Sequence, residues 1–256
     1  MTFQLTEPIL VIGLGGVGTR LAEKTKKSLN SDCLMISHDQ NDITAENSIK
    51  ISTKSVVNPS THLIRGSTLE TSDEIKKNIA NYSTIILMSN LAGKAGTGIG
   101  PIVSKICKQE QKNLLSFAVM PFKFEKERIF QSGIALKRIR QDSQCTIVVD
   151  NDALLDSNPD LTQKQCYDIS NNAIESMVHS LKSSEISDNT NILSTSKTAD
   201  DIEVSLKDSL RMLYEDAPPN SIKRSMLYVY GDGNIPVGVL NTISNITGGT
   251  FDEDST

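Results

Sequence analysis

Two glycine-rich segments hold the residues best suited to chemistry. Residues 9–20, ILVIGLGGVGTR, run a short apolar segment into Gly13-x-Gly15-Gly16-x-Gly18. Residues 90–101, NLAGKAGTGIGP, follow another apolar run and lead into a segment with helical spacing. Glycine has no Cβ, so a turn between strand and helix can leave several N–H groups pointing into one small space. With the helix dipole behind them, such groups cradle an anion. One such turn is a weak signal, shared by NAD, FAD, ATP and GTP sites and by plain tight turns. Two of them, at the carboxyl ends of strands in one sheet, would approach the same ligand from opposite sides of a crevice. The candidate contacts are Gly15, Gly16, Val17, Gly18, Thr19 and Arg20 in the first segment. In the second they are Gly93, Lys94, Ala95, Gly96, Thr97 and Gly98, with Thr97 adding a hydroxyl. Lys94 reads two ways: out into solvent, or with its ammonium on a phosphate as a point charge. Asp39, in LMISHDQ, stands where a carboxylate often holds a ribose hydroxyl, and equally where it would cap its own turn.

The elements that must position these residues are legible as alternating patterns. Residues 9–12, 34–36, 84–88, 114–119 and 145–149 are brief, apolar and bounded by turn residues, which predicts buried strands. Helices are predicted over 17–29, 72–81, 99–111, 127–140 and 163–181. Thr71 with Glu74 is a candidate capping box for the second of these. Strand and helix alternating over this length predict an α/β fold with a parallel sheet covered on both faces, since parallel strands need crossovers. Residues 182–191, KSSEISDNTN, read as a polar connection to a smaller unit. There a strand at 192–195, a helix at 198–214, a strand at 226–230 and a short helix at 236–244 are predicted. The division is thus 1–182 for a nucleotide-binding domain with its long central helix, and 183–256 for a reduced second α+β domain.

Composition bounds the function. The chain has 256 residues, a net charge of −5, 38% hydrophobic residues, 4% aromatic residues and no tryptophan. A base-stacking nucleic-acid platform needs more aromatics and a basic surface. No apolar run has the length of a membrane span, and the first residues lack the pattern of a signal peptide. Cys33, Cys107, Cys145 and Cys166 form no CxxC pair and read as small buried hydrophobes in a reducing compartment. His38, His62 and His179 show no metal-ligand spacing.

Taken in order, the motifs resemble those of the FtsZ/tubulin superfamily of GTP-binding cytoskeletal proteins. Its signature loop, GGGTGTG or GGGTGSG, is similar to residues 92–98, which keep Gly93, Gly96, Thr97 and Gly98. MPFKFEKER, residues 120–128, resembles K-P-F-x-F-E-G-x-x-R of FtsZ. VVDNDALLD, residues 148–156, resembles I-D-N-E-A-L-Y of tubulin, and YDISNN, residues 167–172, resembles Y-G-D-L-N. The resemblance implies that Glu125 contacts ribose with Arg128 beside it, and that Asn151 contacts guanine. It also implies that Tyr167 stacks on the base, that Asn171 hydrogen-bonds to it, and that Asn172 stands where FtsZ has a guanine-reading aspartate. It implies GTP or GDP as ligand, Mg²⁺ as a candidate companion ion, self-association or pairing with homologous subunits, and a cytoplasmic, prokaryotic cytoskeletal or cell-division setting. Neither nucleic acid nor membrane insertion is implied.

The chain departs from that family in three places. Lys94 and Ala95 replace a glycine and a threonine of the signature loop. Thr19-Arg20 replaces a glycine-asparagine pair near the guanine. The acidic N-x-D-F-A-D loop that positions the attacking water in FtsZ has no counterpart after the long helix, where Glu185 and Asp188 are the acids present. The expectation is therefore a guanine-nucleotide binder with weak or absent hydrolysis and no assigned catalytic residue. The alternatives are a Rossmann-type NAD- or ATP-dependent enzyme, which leaves the second glycine segment unexplained, and a nucleotide-free pseudo-GTPase scaffold.

Overall fold

A computed structural model of the chain describes residues 2–44, 47–54, 57–197, 201–217, 227, 238, 241–243 and 245. The strands are β1 (Thr2–Phe3), β2 (Ile9–Leu14), β3 (Asp32–Ser37), β4 (Ser48–Lys50), β5 (Thr84–Asn90), β6 (Asn113–Val119), β7 (Cys145–Val149), β8 (Ile186–Ser187) and β9 (Asn189–Ile192). The helices are α1 (Gly15–Leu29), α2 (Thr61–Glu70), α3 (Ser72–Ile79), α4 (Lys94–Gln109), α5 (Lys126–Asp142), α6 (Asn151–Ser157), α7 (Gln163–Ser180) and α8 (Ile202–Asp216). A 3-10 turn covers Gln40–Asp42.

The seven-stranded sheet has the order β4-β3-β2-β5-β6-β7-β9, and every pair in it is parallel. Strands covered on both faces read as continuous apolar runs, as β2 and β5 do. Alternate residues then serve opposite layers. Ile9 and Val11 of β2 pack with Leu21 and Ala22 of α1 and with Ile174 and Val178 of α7. Leu10, Ile12 and Leu14 pack with Ile64 of α2, Ile75 of α3, and Ile99 and Val103 of α4. The four cysteines are free and buried, and burial pushes the thiols of Cys107 and Cys145 up to about 12.

The structure corrects several expectations. α1 and α4 begin two and five residues earlier than predicted, at Gly15 and Lys94, so the glycine segments are the first turns of helices rather than loops ahead of them. Thr71 forms no capping box. It ends α2 and starts α3 with ψ of 5°, and its hydroxyl donates to Ser67 O. The polar stretch 182–191 is not only a connection, because β9 pairs with β7 through its backbone and extends the main sheet. α2, α6 and β4 are additional elements. The predicted strand at 192–195 lies instead at Asn189–Ile192, and the helix at 198–214 runs Ile202–Asp216. Of the helix at 236–244, residues 238 and 241–243 are helical. The rest of that helix and the strand at 226–230 lie outside the described residues.

Candidate functional site

Because the main strands are parallel, their carboxyl ends share one edge of the sheet. β2 has β3 on one side and β5 on the other, and α1 and α4, which follow β2 and β5, pack on opposite faces. The chain's winding therefore reverses between β2 and β5, and a crevice at such a switch point is where open α/β sheets bind ligands. Both glycine segments start there. They touch: a Cβ added to Gly15, whose φ is +65°, would lie 2.7 Å from Ala95 Cβ.

The starts of α1 and α4 differ from those of the other described helices. α2, α6, α7 and α8 are capped by the side chains of Ser60, Asp150, Thr162 and Asp201. α3 and α5 carry acids in their first turns. α1 and α4 have neither a capping side chain nor an acid in the first turn. Each thus leaves N-terminal N–H groups and the positive end of its dipole aimed at the crevice.

Not every glycine here is open to a ligand. A Cβ on Gly13 would meet Gly18 O at 2.6 Å, one on Gly18 would meet Met88 O at 2.5 Å, and one on Gly96 would meet Asn90 O at 2.1 Å. Gly98 lies against Ile64 of α2. These four let the helices approach the strands and one another. At Gly16 the added Cβ would meet a side-chain atom, Asp42 Oδ1 at 2.5 Å, and only Gly93 faces open surroundings, with Asn90 O at 3.5 Å. Asp42, unforeseen from the sequence, is held beside the first glycine turn by Ser37, whose hydroxyl donates to it at 2.7 Å. Asp39 caps the 3-10 turn by accepting from Asn41 N at 2.9 Å. Thr97 Oγ1 donates to Gly93 O at the start of its own helix, and among the described residues Thr19 Oγ1 is buried without a partner. Arg20 is exposed, with Nη1 3.8 Å from the added Cβ of Gly16. Lys94 Nζ donates to Asn58 Oδ1 at 2.6 Å and to Pro59 O at 3.0 Å.

Further along the edge, Glu125 and Arg128 form an ion pair at 2.6 Å. Glu125 also accepts from Phe122 N at 3.2 Å. Tyr167 stands edge-on to Phe122, with ring centroids 5.5 Å apart, and hydrogen-bonds with Asn90 at the end of β5. Burial pushes its hydroxyl pKa up, and Glu125 and Arg128 lie close enough to bear on it. Tyr167, Glu125 and Arg128 thus come together beside the second glycine turn. Asn151 is fully buried at the start of α6, and its Oδ1 accepts a short hydrogen bond from Ser170 of α7. Among the described residues Asn151 Nδ2 and Asn171 Oδ1 are buried without a partner, one a donor and one an acceptor. Asn172 is exposed. Sequence reading missed Ser170 and Phe122 as supports. Ser170, one position before the predicted Asn171, becomes visible only once α6 and α7 are packed.

The GTPase domain of the Tubulin/FtsZ family matches residues 8–159. Cell division protein FtsZ 1 of Halobacterium salinarum is 26% identical over 184 residues, covering 67% of this chain and 46% of that protein. FtsZ of Aquifex aeolicus is 30% identical over 101 residues, covering 39% and 28%. The chain thus spans less than half the length of these curated relatives. Among solved structures, an empty FtsZ dimer of M. jannaschii superposes with a TM-score of 0.76 at 17% identity, over 98% of this chain and 82% of that one. TubZ of Clostridium botulinum phage c-st does so at 0.59 and 15%, over 81% and 75%. The structural likenesses bear on the fold alone, but the family match covers more than half of the chain and coincides with both glycine turns and the start of α6: the chain belongs to the Tubulin/FtsZ family.

Proposed function

We propose that this chain binds a guanine nucleotide at the β2–β5 crevice and works as an FtsZ-like, self-associating cytoskeletal or cell-division protein of the prokaryotic cytoplasm, with slow or absent hydrolysis. One observation carries the reading. The starts of α1 and α4 are bare and meet at the switch point, so their free N–H groups and dipole ends favour an anion there. An NAD- or ATP-dependent enzyme of Rossmann type would use the first turn and leave the second without a role. The orphaned donor of Asn151 and acceptor of Asn171 suit the mixed donor and acceptor edge of a purine. Tyr167 offers a ring for stacking, and Glu125 an acceptor for a ribose hydroxyl. Among the described residues no group of three or more His, Cys, Asp or Glu side chains is placed to hold a metal ion. A Mg²⁺ ion would therefore ride on the phosphates, with Asp42 as the carboxylate at hand.

Slow turnover follows from the stretch after α7. Glu185 accepts from Thr2 Oγ1 at 2.9 Å and from Gln4 Nε2 at 2.7 Å, and Asp188 accepts from Asn189 Nδ2. Both acids are thus engaged within their own chain, and phosphoryl transfer depends on a group that orients the water. Self-association is supported by the exposed Phe124, Ile129 and Phe130 around the start of α5. Among the described residues no helix is long and apolar enough to cross a membrane.

The test is to denature the purified protein, identify any released nucleotide, and titrate the emptied protein with GTP, GDP and ATP by calorimetry. GTP and GDP should bind more tightly than ATP, and GTP turnover should not climb steeply with protein concentration. Equal affinity for ATP and GTP would end the base-recognition reading. A steep, concentration-dependent GTPase would end the reading of slow hydrolysis.

A further inference from the structure

Lys94 is the first residue of α4, where the dipole is positive and a cation is disfavoured. Its ammonium is nevertheless fixed there by two neutral acceptors, Asn58 Oδ1 at 2.6 Å and Pro59 O at 3.0 Å. Among the described residues no carboxylate pairs with it. Its charge is therefore uncompensated, and one of the three ammonium donors is left over. Asn58 makes its contact from a left-handed backbone, with φ of 49°, which asparagine tolerates better than most residues. Lys94 adjoins Ala95, which borders Gly15 of the first glycine turn, and its charge bears on His38, the residue that follows β3.

We propose that Lys94 is a phosphate ligand of this site, and that Asn58 is a positioning residue that holds the ammonium ready for it. The inference rests on the nucleotide reading above. Two bare helix starts supply partial positive charge, and Lys94 adds a full one. The two neutral acceptors hold the lysine without cancelling its charge, whereas a carboxylate in their place would cancel it. Fixing the side chain beforehand removes part of the ordering cost of binding.

The experiment compares Lys94→Met, Lys94→Arg and Asn58→Ala with the unaltered protein by calorimetry, using GDP, guanosine and inorganic pyrophosphate. Lys94→Met should weaken GDP and pyrophosphate by about tenfold to a hundredfold, as loss of a charge-assisted hydrogen bond implies. Guanosine, which carries no phosphate, should be unaffected. Lys94→Arg should retain part of the affinity. Asn58→Ala should weaken GDP less than Lys94→Met does, and should add nothing once Lys94 is already Met. Should the Met variant unfold, Lys94→Gln removes the charge while keeping a donor for Asn58, and the same losses are expected. Unchanged GDP affinity in Lys94→Met or Lys94→Gln overturns the role of Lys94 and leaves the nucleotide reading standing. Equal losses for guanosine and GDP overturn it too, by assigning Lys94 to the fold. Failure of the unaltered protein to bind GDP or pyrophosphate overturns both.

Discussion

Gly93 and Gly96 belong to one turn, yet a Cβ added to each meets very different surroundings. At Gly96 it would lie 2.1 Å from Asn90 O, a backbone atom that cannot swing aside. At Gly93 the nearest atom is 3.5 Å away and the backbone is ordinary, with φ of −94°. Gly96→Ala should therefore destabilise the protein by about 1–3 kcal/mol, an overpacking cost, whereas Gly93→Ala should stay within about 1 kcal/mol of the parent. Urea unfolding of the two variants without ligand checks this, and equal midpoints would refute the division of glycines between packing and ligand approach. In the sequence the two residues look alike, because a motif records residue types and not the atoms that will face them. The same limit hid Ser170. A serine in a helix has no reason to stand out until Asn151 arrives against it from another element.

Among the elements, α4 shows how one irregularity recruits a partner. Pro101 inside the helix has no N–H, so the carbonyl of Thr97, four residues earlier, loses its helical donor. Arg65 of α2 supplies one, its Nη2 reaching Thr97 O at 3.1 Å. Arg65→Met should cost about 1–3 kcal/mol by leaving that carbonyl unpaired. Pro101→Ala should cancel most of the loss by restoring the helical N–H. A double-mutant cycle read by thermal unfolding measures the coupling, and simple additivity would refute the link. The elements were unevenly legible for the same kind of reason. Central strands could be read because burial on both faces demands unbroken apolar runs. α2 could not, because of its residues only Ile64 and Thr68 are buried, too few to show a helical period. The early starts of α1 and α4 were masked by glycine, a poor helix former, whose use there is set by packing against β5 and the Asn90 turn.

At the scale of the whole molecule, α8 is tied to the start of α6 through a pair of carboxyl groups. Asp216, the last residue of α8, hydrogen-bonds with Asp150, which also caps α6. Burial, then the charge of Asp150 and that hydrogen bond, raise the Asp216 pKa to about 7. Lys123 opposes the rise and Glu215 adds to it. The folded state therefore holds a proton that the unfolded chain releases at ordinary carboxylate pH. Stability from this contact is full below the unfolded value and is lost as pH rises through about 7. Asp216→Asn should keep a hydrogen-bonding group while removing the charge. It should raise the thermal midpoint at pH 8, leave it nearly unchanged at pH 4, and flatten the fall between them. A parallel shift at both values would show that the pair does not govern docking.

The short pairing of β1 with β8 joins Thr2 to Ser187 and Phe3 to Ile186. During synthesis the first of these partners leaves the ribosome long before the second exists. The strands and glycine turns of the crevice lie within residues 9–109, whereas the strand partner of β1 comes only after α7. Closing that contact thus requires that α7 has already been made. Thr2 and Gln4 reach Glu185 only after the segment that follows α7 exists, so residues at one end of the chain depend on residues more than 180 positions away.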